Sequence, residues 1–288
     1  MNAFKRIYVM FYITLAMGLT IAGLVGVVSG PHRMGWAGVS LTGLPLVMML
    51  MSAMLLGRTA RTRADLPVTL VLALIGVAMA AWQSFVASGP ALLVILAAAG
   101  ALGLIIYIRW YSRFGRTPSP VIETGKTLPE FELTAPDGTT VTSTALALRP
   151  TVFIFIRGNW CPLCMGQVNE ISAAAGDFVK AGVRVAFIAP QPLAKTRVLA
   201  KGRPESIEFY SDIGNAAGRL LKIHNPAGLP LGMEILGYRS ETVLPTLIAV
   251  GEGGRILWTH ETDNYRVRPA PAVILAGIAG PAAQKTSS

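Results

Sequence analysis

Cysteine and histidine are scarce in this sequence. The chain has two cysteines and three histidines in 288 residues. Two cysteines are too few for the set of disulfides that staples a small secreted domain. The histidines are His32, His224 and His260; they are scattered along the chain and do not form the second ligand pair that a structural zinc site needs. Neither a disulfide-stapled fold nor a zinc site is favoured.

Acidic residues are almost missing from the first 116 positions, where Asp65 stands against nine lysines and arginines. The other 172 residues carry 16 basic and 14 acidic side chains. The net charge of +10 therefore comes mostly from the first part, which carries +8, and it does not indicate nucleic-acid binding. This uneven composition predicts two domains.

The first part also lacks charge inside its long apolar runs. Four such runs of 18 to 22 residues are present, at 7–28, 36–56, 66–86 and 91–108. At about 1.5 Å per helical residue, each run spans or nearly spans a hydrocarbon core of about 30 Å. The first run is too long for the apolar region of a signal peptide. We expect a transmembrane domain of four helices over residues 1–114.

The basic residues indicate how these helices are oriented. Cytoplasmic loops of membrane proteins are rich in lysine and arginine. If the N-terminus is cytoplasmic, only Arg33 lies outside, and the following basic residues lie inside: Lys5, Arg6, Arg58, Arg61, Arg63, Arg109, Arg113 and Arg116. The sequence therefore predicts an integral protein of the bacterial inner membrane, with its N-terminus and its C-terminal domain in the cytoplasm.

The C-terminal part alternates strand and helix patterns. Residues 115–129 are rich in proline, glycine, serine and threonine, and we expect an extended linker there. Residues 151–157 form an apolar, β-branched run typical of a buried strand. A helix over 161–180, further strands and helices, and a hairpin at 246–259 follow. We predict an α/β domain with a mixed sheet flanked by helices over residues 130–288.

Both cysteines lie in the stretch RGNWCPLC, where the buried strand meets the next helix. Unpaired N–H groups and the helix dipole stabilise a thiolate at a helix N-terminus. Cys161 would then be the nucleophile, and Cys164, one turn later, would close a disulfide onto it. Pro162 suits the first helical position. A redox dithiol is favoured, and half of a metal site or simple packing remain alternatives.

RGNWCPLC resembles the RGxWCPxC motif of the peroxiredoxin-like branch of the alkyl hydroperoxide reductase/thiol-specific antioxidant (redoxin) family. The resemblance covers roughly residues 125–280. It includes the stretches LPEFELTAPDGTTV, VLPT, VGEGGRIL and DNYRVRP. It implies a thioredoxin-like fold and redox chemistry that needs no metal or organic cofactor beyond a redox-active disulfide.

The resemblance also implies roles for neighbouring residues. The peptide bond before Pro245 is expected to be cis and to pack opposite the cysteines, with the backbone of Leu244 offered to a substrate peptide. Trp160 would shield one side of the dithiol, with simple packing as the alternative. Independently of the resemblance, Arg157 ends the strand that leads to the site, where its guanidinium would lower the pKa of the thiolate or accept an anionic substrate; a solvated strand end is the alternative.

The chain departs from peroxiredoxins where their peroxide pocket has a threonine and a proline. Those positions hold Gly158 and Ile154. This favours thiol–disulfide exchange over peroxide reduction. A membrane-bound peroxidase for lipid hydroperoxides and a redox sensor or assembly factor remain the alternatives. The expected partners are a thiol or disulfide protein substrate or a hydroperoxide, a cellular dithiol or glutathione as reductant, and the bilayer. Tyr265, Arg266 and Arg268 are expected in a solvated turn.

Overall fold

The computed structural model describes residues 2–57 and 59–280, which form two compact units. One unit consists of Ala3–Leu56 and Thr62–Arg113. The other consists of the short segment Gly57–Arg61 and the described residues from Phe114 onward. The short segment, which follows the second helix in the sequence, therefore belongs to the unit that contains the cysteines.

The first unit is helical, and it contains the four helices that the apolar runs predict. Each is long and apolar enough to cross a membrane. The helices are α1 (Asn2–Ser29), α2 (Arg33–Leu56), α3 (Pro67–Phe85) and α4 (Leu92–Ile106), with α4 continued by one π-helical turn, Tyr107–Tyr111.

Small residues allow the helices of this unit to approach closely. A Cβ atom on Gly76 of α3 would lie 2.4 Å from the carbonyl oxygen of Gly38 in α2. A Cβ atom on Gly43 would lie equally near the carbonyl oxygen of Ala16 in α1, at 2.4 Å. Apolar helices gain attraction from such close backbone packing, which any larger side chain would prevent.

The second unit is a mixed sheet of seven strands with helices on its faces. The strand order is β2-β1-β5-β4-β3-β8-β9. The strands β3, β4 and β5 run parallel, and the others pair antiparallel. Its strands are β1 (Glu132–Thr134), β2 (Thr140–Thr142), β3 (Thr151–Phe155), β4 (Arg184–Ala189), β5 (Ile207–Ser211), β8 (Thr246–Val250) and β9 (Ile256–Glu261). This confirms the predicted thioredoxin-like α/β fold.

Short elements complete this unit. The strands β6 and β7 form a separate antiparallel pair that the sequence did not predict. The elements are α5 (Ser143–Leu146), α6 (Pro162–Ala173), α7 (Ala175–Lys180), α8 (Leu193–Ala200), α9 (Ala216–Leu220), β6 (His224–Asn225), β7 (Thr242–Val243) and α10 (Pro271–Ala279).

The central strand β3 is buried on both faces, as its apolar run predicts. Phe153 and Phe155 point to one face, where both make edge-to-face contacts with Phe131. The other face carries the stacked rings of Phe187 and Phe209, whose centroids are 5.4 Å apart. Because alternate residues of a strand face opposite sides, one continuous apolar run supplies both cores.

Two local predictions differ from the structure. The helix expected over 161–180 is split into α6 and α7, because Ala174 between them has a non-helical ψ of 10°. The segment 115–129, expected as an extended linker, contacts its own unit. Ile122 is fully buried, the backbone of Leu128 bonds to Gly254, and the hydroxyl of Ser119 donates to the carbonyl of Leu221. A buried apolar side chain, a backbone hydrogen bond and a serine hydroxyl provide these anchors.

The register of the sheet determines which loops meet at the dithiol. Phe155, the last residue of β3, pairs with Thr246, and Thr246 pairs with Glu261, the last residue of β9. The strands β3 and β9 thus run in the same direction on either side of β8. The residues that follow both strands therefore leave the sheet at the same edge.

Candidate active site

The structure places both cysteines at the start of α6, immediately beyond β3. Cys161 is the N-cap residue, with extended backbone angles, and Pro162 occupies the first turn. The carbonyl of Cys161 accepts the first helical hydrogen bond, from the N–H of Met165 at 3.0 Å. Both thiols are reduced and buried: Cys161 is 2% exposed and Cys164 is not exposed at all.

The pKa values of the two thiols are shifted in opposite directions. A hydrogen bond to Cys164, together with burial and the charge on Cys164, raises the pKa of Cys161 well above its usual value. Burial raises the pKa of Cys164 as well, but the hydrogen bond from Cys161 and the charges of Arg268 and Arg157 outweigh it and lower that pKa to about 5. Cys164 is therefore the more acidic thiol of the pair, and Cys161 is its hydrogen-bond donor.

Arg268 is the positive group that contacts this charge. Its Nη2 lies 3.3 Å from the Sγ of Cys164, and its Nη1 donates to the side-chain oxygen of Gln167 at 2.6 Å. Its Nε donates to the carbonyl of Tyr265 at 3.2 Å. These three contacts fix the guanidinium plane against α6.

The expectation of a solvated turn at residues 265–268 is therefore wrong. Tyr265, Arg266 and Arg268 are all buried. The turn follows β9 and so reaches the sheet edge where α6 begins, and this position takes its side chains away from water.

Arg157 is buried and does not lie at a solvated strand end. It is 6% exposed, and its Nη2 donates to the carbonyl of Gly228 at 2.6 Å. Its guanidinium lies over the Trp160 ring at 4.6 Å and over the Tyr265 ring at 5.6 Å. Cation–π contacts of this kind hold a desolvated arginine in place. Arg157 contributes to the lowered pKa of Cys164.

Gly158 and Trp160 shape the loop in front of the cysteines. Gly158 has a φ of 139°, which disfavours every residue with a side chain. A Cβ atom there would lie 2.7 Å from the Nε1 of Trp160. The next residue, Asn159, is held from two sides: its N–H donates to Gln191 at 2.9 Å, and its side chain accepts from the hydroxyl of Tyr238 at 2.5 Å.

Threonine at position 158, the residue type of a peroxide pocket, should destabilise the protein rather than create a peroxidase. The strained φ and the clash with Trp160 predict that Gly158→Thr lowers the free energy of unfolding by roughly 1–3 kcal/mol without raising the rate of peroxide reduction. Thermal unfolding and peroxide consumption test this. The matched control is Gly176→Thr in α7, where a Cβ atom has open space and φ is not positive. A stable Gly158→Thr variant with faster peroxide reduction would contradict the expectation.

The expected cis bond before Pro245 is not present, because the Leu244–Pro245 peptide is trans. Trans is the form that an X–Pro bond adopts in most folded contexts. In this form the N–H of Leu244 bonds to the carbonyl of Ile223 at 2.8 Å, and the carbonyl of Pro245 accepts from Arg116 at 3.2 Å. Both backbone groups are thus satisfied within the unit. A substrate-binding role for Leu244 and Pro245 stays a prediction.

The sequence points to Arg157 and Trp160 beside the cysteines, but it does not point to Arg268 or Gln167. Arg268 belongs to the stretch DNYRVRP, for which a solvated turn is expected, and Gln167 carries no signal beyond its place one turn after Cys164. Within residues 2–57 and 59–280, the structure holds no group of three or more His, Cys, Asp or Glu side chains suited to bind a metal. Arg268 and Arg157 are the arginines next to the dithiol. The rings of Trp160 and Tyr265 lie against Arg157, and the amide of Gln167 binds Arg268.

One family model matches part of the second unit, and several solved structures are similar to it. Residues 124–259 match the model of the AhpC/TSA family. No curated protein matches the chain at a significant level. Among solved structures, peroxidoxin BcpB from Mycobacterium tuberculosis is similar at 18% identity over 55% of this chain and 97% of its own, with a TM-score of 0.46. Reduced Prx3 from Vibrio vulnificus in complex with H₂O₂ has 15% identity, coverages of 55% and 99%, and a TM-score of 0.48. AhpC from Enterococcus faecalis has 13% identity, coverages of 57% and 96%, and a TM-score of 0.46.

Proposed function

We propose that the AhpC/TSA-family domain that this chain carries over residues 124–259 is a thiol–disulfide oxidoreductase. One observation supports this most strongly: two reduced thiols lie at the start of α6, with the Nη2 of Arg268 3.3 Å from the Sγ of the second thiol. Two thiols three residues apart close a disulfide with little backbone movement. Such a pair exchanges electrons two at a time, and it needs no metal or organic cofactor.

The opposite pKa shifts of the two thiols suggest how each cysteine acts. Cys161 is the more exposed of the two, so it attacks one sulfur of the substrate disulfide and passes its proton to the thiolate of Cys164. A mixed disulfide forms, and the first substrate thiolate leaves. Cys164 then attacks the Cys161 sulfur, and its proton leaves with the second substrate thiol. The protein ends with an internal disulfide, and the substrate disulfide has gained two electrons and one proton.

The return half of the cycle requires a reductant. A cellular dithiol, or two molecules of glutathione, would reduce the internal disulfide by the same exchange in reverse. Arg268 and Arg157 would again stabilise the thiolate that leaves from Cys164.

Stopped-flow fluorescence on the full-length, detergent-solubilised protein tests the proposal, because Trp160 lies beside the dithiol. We expect rapid oxidation by a model disulfide, slow oxidation by hydroperoxide, and multiple turnovers when glutathione is added. Inertness toward disulfides would refute the proposal. A single oxidation event without turnover would instead indicate a redox sensor or assembly factor.

Hydroperoxide reduction is the second candidate, and the AhpC/TSA match favours it. In that reaction Cys161, after passing its proton to Cys164, takes the terminal peroxide oxygen to form a sulfenic acid and releases an alkoxide, which takes up a proton from water to become an alcohol. Cys164 then displaces water and closes the disulfide. Gly158 offers no hydroxyl to orient the peroxide, which is why we place this candidate second. Oxidation by a lipid hydroperoxide faster than by disulfide would reverse the order.

The four apolar helices support a membrane anchor for this activity, since each is long and apolar enough to span a bilayer. The distribution of basic residues supports a bacterial inner-membrane protein with the redox domain in the cytoplasm. The substrate would then be a cytoplasmic or membrane-bound disulfide or hydroperoxide.

Cysteine labelling tests this orientation in a background that lacks Cys161 and Cys164. Ser88→Cys, in the turn between α3 and α4, should react with a membrane-impermeant maleimide in intact cells. Ala64→Cys, between α2 and α3, should react only after permeabilisation. Labelling of position 64 but not of position 88 in intact cells would show the opposite topology, with the redox domain outside the cytoplasm.

A further inference from the structure

The segment Gly57–Arg61 lies against α6, the helix that carries the dithiol. The side-chain amide of Asn169 donates to the carbonyl of Gly57 at 2.9 Å. A Cβ atom on Gly166 would lie 2.2 Å from the carbonyl oxygen of Thr59, so only glycine allows this approach. The segment is thus closely fitted to α6 just after Cys164.

Arg61 joins α6 to the backbone that carries Arg268. Its Nε donates to the carbonyl of Arg268 at 3.0 Å, and its Nη2 donates to the carbonyl of Pro269 at 3.4 Å. The same Nη2 forms an ion pair with Glu170 on α6. A planar guanidinium is suited to such a task because its donors have a fixed geometry.

The ion pair alone does not explain the placement of Arg61. The side chains of Arg61 and Glu170 are 35% and 32% exposed, and ion pairs at that exposure contribute little to stability. The hydrogen bonds from Arg61 to the carbonyls of Arg268 and Pro269 have another effect, because they hold the backbone of Arg268 in position. That backbone determines whether the guanidinium of Arg268 reaches Cys164 and Gln167.

We propose that Arg61 is a positioning residue of the redox site: it holds the main chain at residues 268 and 269 so that Arg268 contacts Cys164. This inference deepens the proposed function and rests on it for its biological meaning. The charged groups that face Cys164 are Arg268 and Arg157, with Cys161 as hydrogen-bond donor. Arg61 itself contacts the backbone of Arg268 and acts through it.

The test is a thiolate titration of the full-length, detergent-solubilised protein by absorbance at 240 nm and by the pH dependence of iodoacetamide alkylation. Arg61→Gln should move the titration midpoint upward by about half a unit to one unit, since the contact between a cation and the thiolate is loosened. Arg268→Gln should move it further. The double variant should titrate like Arg268→Gln alone, because Arg61 has no effect once Arg268 is absent.

Glu170→Gln is the matched control. It removes the ion pair but leaves both bonds from Arg61 to the main chain, so its midpoint should stay at the wild-type value. Should Arg61→Gln fail to fold, Arg61→Lys carries the test: it keeps the charge but loses the fork of donors, and it should shift the midpoint in the same direction.

An unchanged midpoint in both Arg61 variants would overturn the proposal, as would a double variant whose shift is the sum of the two single shifts. The titration needs no substrate. A protein that titrates as expected but neither reduces disulfides nor hydroperoxides would therefore count against the proposed function, and not against the role of Arg61.

Discussion

Replacement of Cys161 by serine reduces turnover with disulfide substrates to the level of the uncatalysed reaction. Serine cannot form the mixed disulfide through which the exchange passes. Replacement of Cys164 by serine also stops turnover, but by a different route. Cys161 still attacks, no thiol follows to release the product, and one equivalent of substrate stays bound through a disulfide. Mass spectrometry of the intact protein before and after dithiothreitol measures this adduct.

The double variant, with serine at both positions, is the control and should form no adduct. The two single variants also decide between the cysteines. The reduced site places its negative charge on Cys164, whereas the accessible position belongs to Cys161. An adduct that accumulates on the Cys161→Ser variant, and not on Cys164→Ser, would assign the nucleophile to Cys164.

Loss of the Arg268 guanidinium is expected to have the second-largest effect. The pKa of Cys164 is lowered to about 5, so the thiolate is present above that pH and is protonated below it. Arg268→Gln removes a cation in contact with the sulfur, and such a cation is worth roughly 1–3 pKa units. A midpoint near 7 would reduce the thiolate fraction at pH 6 about tenfold and leave it almost unchanged at pH 9. Alkylation rates across this pH range measure the change.

Arg255→Gln is the matched control, since Arg255 is exposed and directly precedes β9, at the other end of that strand from the site. Its titration should follow the wild type. Burial slows alkylation at every pH in all variants, so the midpoint and not the absolute rate is compared. A slower reaction at every pH, with the midpoint unmoved, would show that Arg268 supports packing only.

Local patterns predicted most of the fold. The run at 151–157 contains the buried strand β3, and Cys161 occupies the N-cap position of the helix that follows, because strand burial and the start of a helix depend on neighbouring residues. The split after Ala173 was not predicted, since nothing in the alanine-rich sequence there forbids a continuous helix. The trans bond before Pro245 was not predicted either, because the resemblance and not the local chemistry suggested cis.

The arginines illustrate two different limits of sequence reasoning. Arg268 was within reach, because two antiparallel steps from β3 to β8 to β9 bring the residues after β9 to the edge where α6 begins. Arg61 was out of reach, since it stands about a hundred residues before the dithiol in the sequence. In the sequence, the positive charge of Arg61 indicates only the orientation of the membrane helices. No periodicity connects Arg61 with α6.

The burial of the dithiol separates acidity from reactivity. A thiol with a low pKa is ordinarily an exposed one, and it is consumed by any electrophile that meets it. In this protein the charge is balanced by Arg268 and Arg157, while Cys161 is 2% exposed and Cys164 is not exposed at all. The site therefore stores reducing equivalents in an ionised but shielded form, and its selectivity is set by which molecules can displace the atoms that cover Cys161.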